Sequence, residues 1–212
     1  MMRICLYPLM AFGFLTPAIA QNLEVGGSAG FGFYRSVAIS GPTGSGSAAF
    51  GPRFVLGAVA GKSFAEHLAI EGRYTYQDGD LQILGRGEEA NLDGDSSAVL
   101  VELVYSLFGR HASLRPYFAT GGGVRVYRGT QSPAADEPLK DLALLHHATE
   151  AVALVSYGGG VKRHFAGHWW VRIDLRDYVT PFPMQVISAA PRFHLNGWLH
   201  DFVPTLGLTW AR

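Results

Sequence analysis

The sequence predicts an all-β protein in which eight antiparallel strands close into an up-and-down barrel. From Gln21 onward, apolar and polar residues alternate with the period of two that places successive side chains on opposite faces of a strand. Between these segments, short turns alternate with long loops that are polar or rich in Gly and Pro. Helical periodicity is weak throughout. The strands are expected at 22–39, 49–62, 68–82, 96–108, 115–128, 148–163, 169–182 and 201–211.

The first twenty residues have the form of a secretory signal peptide. Arg3 precedes a short apolar run, and the small residues Ala18 and Ala20 form an A-x-A cleavage site. We therefore expect cleavage after Ala20, which leaves residues 21–212 as one mature domain. Cys5 is the only cysteine, so the mature chain would have none, and neither a disulfide framework nor cysteine-based catalysis or zinc binding is expected.

The charge balance excludes one class of partner. Lys and Arg together number 17, as do Asp and Glu, so no basic field points to nucleic acid. We expect no nucleic-acid binding and no cofactor.

The connections predict where the two ends of the barrel lie. Three tight links are expected at 63–67, 109–114 and 164–168, and four long loops at 41–48, 84–95, 129–141 and 183–198. In an up-and-down meander this pattern places the three short turns and both chain termini at one end, and the four long loops at the other.

The two faces of each strand indicate which side points outward. Residues 171–176 set Val171, Ile173 and Leu175 against Arg172, Asp174 and Arg176, and other strands likewise place bulky apolar residues opposite glycines and charges. A soluble barrel such as a lipocalin would hold the bulky apolar residues inside. A narrow eight-stranded barrel has room inside only for small side chains and a few linked charges, so the apolar face is predicted to face lipid.

Two further features place the membrane boundaries. Aromatic residues fall near both strand ends, which favours interfacial belts. One belt is expected from Phe64, Tyr117, Phe165, Trp169, Trp170 and Trp210, and the other from Tyr34, Tyr76, Tyr127, Tyr178 and Phe182. Asp177 interrupts the alternation by falling on the lipid face, which is tolerable only at an interface; the outer boundary is therefore expected around Asp177 and Tyr178.

The inward charges predict a linked ion-pair network, because a buried charge without a partner is very costly. The expected members are Glu24, Glu71, Arg73, Glu102, Arg125, Lys162, Arg172, Asp174 and Arg176, with Arg53 as a tenth candidate on a strand that alternates poorly. Such a network would fill the lumen, and the alternative is a narrow path for water, ions or small solutes.

With its signal peptide, its eight alternating segments and the stretches RPYFATGGGVRVY (115–127), RIDLRDYVT (172–180) and FVPTLGLTW (202–210), the chain resembles the small outer-membrane β-barrel proteins of Gram-negative bacteria, of OmpA/OmpX type. The resemblance implies a transmembrane barrel in the cell outer membrane, with the short turns periplasmic and the long loops extracellular. It further implies contact with outer-membrane lipids and lipopolysaccharide, and with the barrel assembly machinery during biogenesis. We expect a monomer with a structural or surface-interaction role.

Some barrels of this kind are lipid A-modifying enzymes with a Ser/His/acid set at the outer rim. Ser188, His194, His200 and Asp201 are close in sequence but have no defined spacing, so no enzyme is predicted. His146 and His147 would point to opposite faces of a strand, which disfavours a metal site. The glycine runs 121–123 and 158–160 lack a following Lys-Ser/Thr, so they indicate close packing or curvature rather than phosphate binding.

Overall fold

The computed structural model describes residues 22–41, 44–85, 88–129, 143–145, 147–189, 194–195 and 197–212. The expected signal peptide, nearly all of the expected loop 129–141, and His146 lie outside these residues. Eight long strands form the barrel: β1 Leu23–Tyr34, β2 Arg53–Ser63, β3 Leu68–Gly85, β4 Glu88–Ser106, β5 Leu114–Gly129, β6 Thr149–Ala166, β7 Trp169–Pro181 and β8 Trp198–Ala211.

The eight strands form a closed antiparallel barrel, as the alternation predicts. Each strand pairs with the next along the chain, and β1 pairs with β8 through partners such as Val25 and Trp210. Closure leaves no unpaired strand edge, which is the condition for a sheet to cross hydrocarbon. None of the described residues lies in a helix long and apolar enough to cross a membrane.

The two ends of the barrel differ in their connections. The links 64–67, 107–113 and 167–168 lie at the end that also holds both described termini, and Gly167, with φ of 56°, makes the tightest of these turns. At the other end, 35–52 contains a hairpin of Val37–Gly41 and Gly44–Phe50. Short strands Ala143–Leu145 and Ile187–Ala189 pair there, and His194–Leu195 pairs with Val37–Gly41.

The expected long loop over 84–95 is wrong. Strands β3 and β4 continue through it as a paired ribbon, with Gln82 opposite Asn91 and Gly85 opposite Glu88. Beyond the membrane both faces of a strand meet water, so the alternation of apolar and polar residues disappears although the backbone pairing continues. A prediction that relies on alternation therefore places the ends of these strands too early.

Bulky apolar side chains cover the outside of the barrel. Ile173 on β7 is 61% exposed and Val99 on β4 is 63% exposed. Their chain neighbours Arg172, Asp174, Ala98 and Leu100 point inward and are buried. The other exposed apolar residues of the eight strands include Phe31, Leu56, Ile70, Val101, Leu103, Phe118, Val124, Val155, Leu175, Leu206 and Leu208. This apolar band is the surface that a transmembrane barrel presents to lipid.

Glycine makes room for the long polar side chains inside. A Cβ atom added to Gly160 would lie 2.7 Å from the Tyr117 hydroxyl, and one added to Gly207 would lie 2.9 Å from Cγ of Arg172. Both distances are too short for nonbonded contact. The glycines of the interior face therefore provide the volume that the charged residues occupy.

Several aromatic residues expected in the lipid belts lie inside the barrel instead. Tyr117, Tyr127, Tyr178 and Phe182 are almost completely buried, and the Tyr34 hydroxyl donates to the interior Gln77. The hydroxyls of Tyr34, Tyr117 and Tyr127 have polar partners in the lumen, which explains why these residues lie inside. Phe64, Phe165 and Trp169, near the short-turn end, are exposed as a belt requires.

Candidate functional site in the barrel lumen

The lumen contains two polar clusters separated by an apolar layer. All nine residues of the expected network point inward, as does Arg53. Eight of the nine meet in an inner cluster towards the short-turn end, whereas Arg125 belongs to an outer cluster towards the long-loop end. The eight members of the inner cluster are Glu24, Glu71, Arg73, Glu102, Lys162, Arg172, Asp174 and Arg176.

One half of the inner cluster is centred on Glu71. Lys162 lies between two carboxylates, with its Nζ 2.7 Å from Glu71 Oε1 and 2.7 Å from Glu24 Oε2. Arg172 places Nη2 3.1 Å from Glu71 Oε2 and Nε 2.8 Å from Asp174 Oδ2. Glu24 is the most accessible member, because its side chain keeps 15% exposure at the rim.

The other half is centred on Glu102. Arg73 Nε lies 3.1 Å from Glu102 Oε2, and Arg176 Nε lies 3.0 Å from Glu102 Oε1. Arg176 also places Nη1 3.2 Å from Asp174 Oδ1, which joins the two halves. The Ser156 hydroxyl donates to Glu102 at 2.6 Å.

Tyr117 lies in the middle of the inner cluster. Its hydroxyl donates to Asp174 and accepts from Nη2 of Arg172 at 2.9 Å. Its ring lies 5.3 Å from Nζ of Lys162 and 5.5 Å from the guanidinium carbons of Arg172 and Arg176, within the range of cation–π attraction. The four acids and four bases of the cluster balance.

The outer cluster depends on a single carboxylate that sequence reasoning did not place in the lumen. Asp201 is fully buried, and its Oδ2 accepts from Nη1 of Arg125 and from Nε2 of Gln77, both at 2.8 Å. Arg125 also donates to Gln77 Oε1 and, at 3.2 Å, to the Ser96 hydroxyl. Asp201 shares its parity on β8 with Thr205, Gly207 and Thr209, and this alternation was the signal that could have identified it.

Arg53 is the second cation of the outer cluster. Its guanidinium lies 4.9 Å from the Phe50 ring centroid, and Nη1 donates to the Gly94 carbonyl at 3.3 Å. No carboxylate of the described residues lies within ion-pair distance of Arg53, and its Nε and Nη2 have no hydrogen-bond partner there. Among the described residues, the outer half of the lumen therefore holds one more buried cation than its ion pair neutralises.

The apolar layer lies between the clusters. Its members are at most 2% exposed: Val55, Ala98, Leu100, Leu154, Tyr178 and Val203. Thr75 is buried at the same level on β3. Among the described residues, no ion pair or side-chain hydrogen bond joins the inner cluster to the outer one.

Further apolar residues close the long-loop end. Phe50 stacks on Tyr127 with ring centroids 5.1 Å apart, above the outer cluster. Phe182, Val186, Ile187 and Leu199 are also buried at this end. The mouth of the barrel is therefore packed by side chains from the long connections.

Of the residues considered for lipid A chemistry, His200 and Asp201 point to opposite faces of β8. Asp201 points into the lumen, whereas His200 points outward, where its Nδ1 lies 2.8 Å from Oδ2 of Asp177. Ser188 and His194 lie on different short strands. Within the described part of the chain, no three His, Cys, Asp or Glu residues form a group that could hold a metal ion.

Comparisons with known proteins agree with this architecture. OprG, an outer membrane protein of Pseudomonas aeruginosa, superposes with a TM-score of 0.62 at 13% sequence identity, over 91% of this chain and 97% of that one. Neisserial surface protein A gives a TM-score of 0.57 at 11% identity, over 91% and 98% of the two chains. No curated protein matches the sequence. The outer membrane protein beta-barrel domain family matches residues 7–182, and the chain belongs to that family.

Proposed function

We propose that the protein is a non-enzymatic outer-membrane barrel with a sealed lumen, whose role is structural or is exerted by the surface of its long-loop end. The observation that carries the proposal is the apolar layer between the two polar clusters. Ions and water cross a membrane along polar groups that replace their hydration. Leu100, Leu154 and Val203 provide no such groups, and the layer carries no charge. Among the described residues, its polar side-chain groups are the hydroxyls of Tyr178 and Thr75.

The inner cluster supports the sealed state. Each of its ions has at least two opposite charges or hydroxyls within reach, so side chains such as Arg172 and Glu71 are held across the lumen from several strands. An ion moving through would have to separate several of these pairs at once. Each separation would leave a buried charge uncompensated, at a cost of about 3–5 kcal/mol.

The long-loop end supports the surface role. A transmembrane strand needs about 9–11 residues, whereas β3 has 18 and β4 has 19. Beyond the apolar band, the described polar residues of the ribbon formed by their ends include Asp78, Gln82, Asn91 and Asp95. A paired ribbon of this kind presents a rigid surface to molecules outside.

Planar-bilayer recordings of purified, refolded protein test the proposal. We expect the wild-type protein to give no stable openings. The double variant Leu100→Gly/Leu154→Gly, which removes side chains from the apolar layer, is expected to give frequent openings. Its matched control, Val101→Gly/Val155→Gly, changes the outward neighbours on the same two strands and is expected to remain silent.

A heat-dependent shift on SDS gels must first show that each variant is folded. Stable openings by the folded wild-type protein would overturn the sealed lumen and establish the alternative, a narrow pore. If the folded Leu100→Gly/Leu154→Gly variant gave no channel openings, the ion clusters rather than the apolar layer would close the path.

A further inference from the structure

Asp177 is a carboxylate on the lipid-facing wall that is nevertheless buried. It follows Ile173 and Leu175 on the outward face of β7, and these two residues are exposed whereas Asp177 is only 5% exposed. Its cross-strand partners Tyr157 on β6 and Phe202 on β8 flank it on the wall. The burial therefore comes from neighbouring side chains on the outside of the barrel.

The two carboxylate oxygens of Asp177 differ in their hydrogen-bond partners. Oδ2 accepts from the Tyr157 hydroxyl at 2.5 Å and lies 2.8 Å from Nδ1 of His200. Oδ1 is buried, and no group among the described residues donates to it. A buried acceptor without a donor costs about 1–3 kcal/mol, more when it is charged. The structure thus leaves one enclosed oxygen of Asp177 without a donor in the described part of the chain.

An apolar groove of about 560 Å³ begins at Asp177 and runs down the wall towards the short-turn end. Its floor is formed by the glycine run 158–160, whose outward member Gly159 has no side chain to fill the space between Phe118 and Leu175. Phe118, Tyr157, Val161, Ile173, Leu175 and Phe202 form its outward sides. From Ile173 to Asp177 the groove extends about 13 Å at ~3.3 Å per residue.

The position of Asp177 corresponds to the outer edge of the apolar band. Trp169, at the other end of β7, lies eight residue steps before Asp177, which corresponds to about 20 Å along the membrane normal for a strand tilted by ~40°. Other outward polar residues also end the band on their strands: Asp78 on β3, and Asp95, whose Oδ1 lies 3.4 Å from Nη1 of Arg128. A lipid chain in the groove would therefore have its polar end beside Asp177.

We propose that the groove and Asp177 form a binding site for one lipid, whose acyl chain lies over Gly159 and whose hydroxyl or amide N–H donates to Asp177 Oδ1 once a flanking side chain turns aside to admit it. Because Asp177 Oδ1 has no donor among the described residues, the site favours a lipid that can donate a hydrogen bond to it. The carbonyls at the top of the chains of a diacyl phospholipid are acceptors only, and any hydroxyl of its headgroup lies beyond the phosphate. An amide-linked or hydroxyacyl lipid has its donor directly at the top of the chain.

Native mass spectrometry of the refolded barrel in detergent tests the site, with lipid A and phosphatidylglycerol as the probes. We expect one lipid A molecule to bind at least ~10-fold more tightly than phosphatidylglycerol, the discrimination expected of a hydrogen bond to a charged group. Asp177→Asn keeps the shape but can turn an N–H towards the groove. This variant is expected to lose the preference, whereas Asp78→Asn, at the same level on β3, keeps it.

A second pair of variants tests the groove itself. Ile173→Trp fills it and is expected to weaken lipid A binding at least ~10-fold, whereas Val99→Trp, on an equally exposed position of β4, leaves it unchanged. Equal binding of the two lipids by the wild-type protein, or an unchanged preference in folded Asp177→Asn, would overturn the proposal. The outcome is independent of conductance, so the sealed lumen and this site can fail separately.

Discussion

The two polar clusters of the lumen neutralise their charges in different ways. The inner cluster shares four acids among four bases, so that most of its ions have more than one counter-ion. The outer cluster has one ion pair, Arg125 with Asp201, supplemented by neutral Gln77 and Ser96, and a second cation, Arg53, without a carboxylate among the described residues. The inner cluster should therefore tolerate the loss of one ion better than the outer one.

Asp201→Asn is the change expected to have the largest effect on stability. Without the carboxylate, Arg125 and Arg53 would be two buried cations that have no counter-ion at their level in the described part of the chain. We expect the free energy of unfolding to fall by about 3–5 kcal/mol, the cost of removing one partner from a buried pair. Urea unfolding of the protein refolded into lipid vesicles would measure it.

Asp95→Asn is the control for this experiment, because it breaks an ion pair whose arginine is about half exposed. Such surface pairs contribute about 0–1 kcal/mol. If the two variants lost the same stability, Asp201 would not be the essential counter-ion that the buried geometry indicates.

Glu102→Gln tests the inner cluster and is expected to have a smaller effect than Asp201→Asn. Arg176 keeps Asp174 at 3.2 Å, and Arg73 keeps Glu71 at 3.6 Å and Asp174 at 3.8 Å. We expect a loss of about 1–3 kcal/mol, the range for a buried hydrogen bond that involves charged groups. The same urea titration gives the value, and a loss as large as that of Asp201→Asn would show that the inner ions do not substitute for one another.

The alternation of the sequence predicts which residues enter the lumen far better than it predicts how they pair. Arg172, Asp174 and Arg176 are placed inside by period two alone. Their partners come from distant strands: Lys162 meets Glu24, which is 138 residues away. Such contacts depend on the stagger of the closed barrel, which no local pattern contains. The split of the charges into two clusters has the same origin.

Residue type was a poorer guide than position where the two disagreed. Tyr117 shares the parity of Ala119 and Gly121 on β5, so alternation places it inside, although tyrosine as a type favours the interface. Asp201, beside a loop histidine, suggested chemistry at the rim, although its parity on β8 is that of the inward face. For Asp177, alternation correctly predicts a position on the outer face of β7. It does not predict that the side chain is buried, because the burial comes from neighbours on the adjacent strands.

Arg53→Met is expected to have the smallest effect and the opposite sign. Methionine retains much of the apolar contact with Phe50 and fills the same space, but it removes a buried cation that has one hydrogen bond to a carbonyl. Replacing buried ions by apolar residues of similar volume is often neutral or stabilising. We expect the free energy of unfolding to rise by about 1 kcal/mol in the same urea titration. Arg73→Met, which removes a cation with three carboxylates in reach, is the matched comparison and should be destabilising. A clear loss of stability in Arg53→Met would instead mean that this cation is neutralised in the folded barrel, and the contrast between the two clusters would disappear.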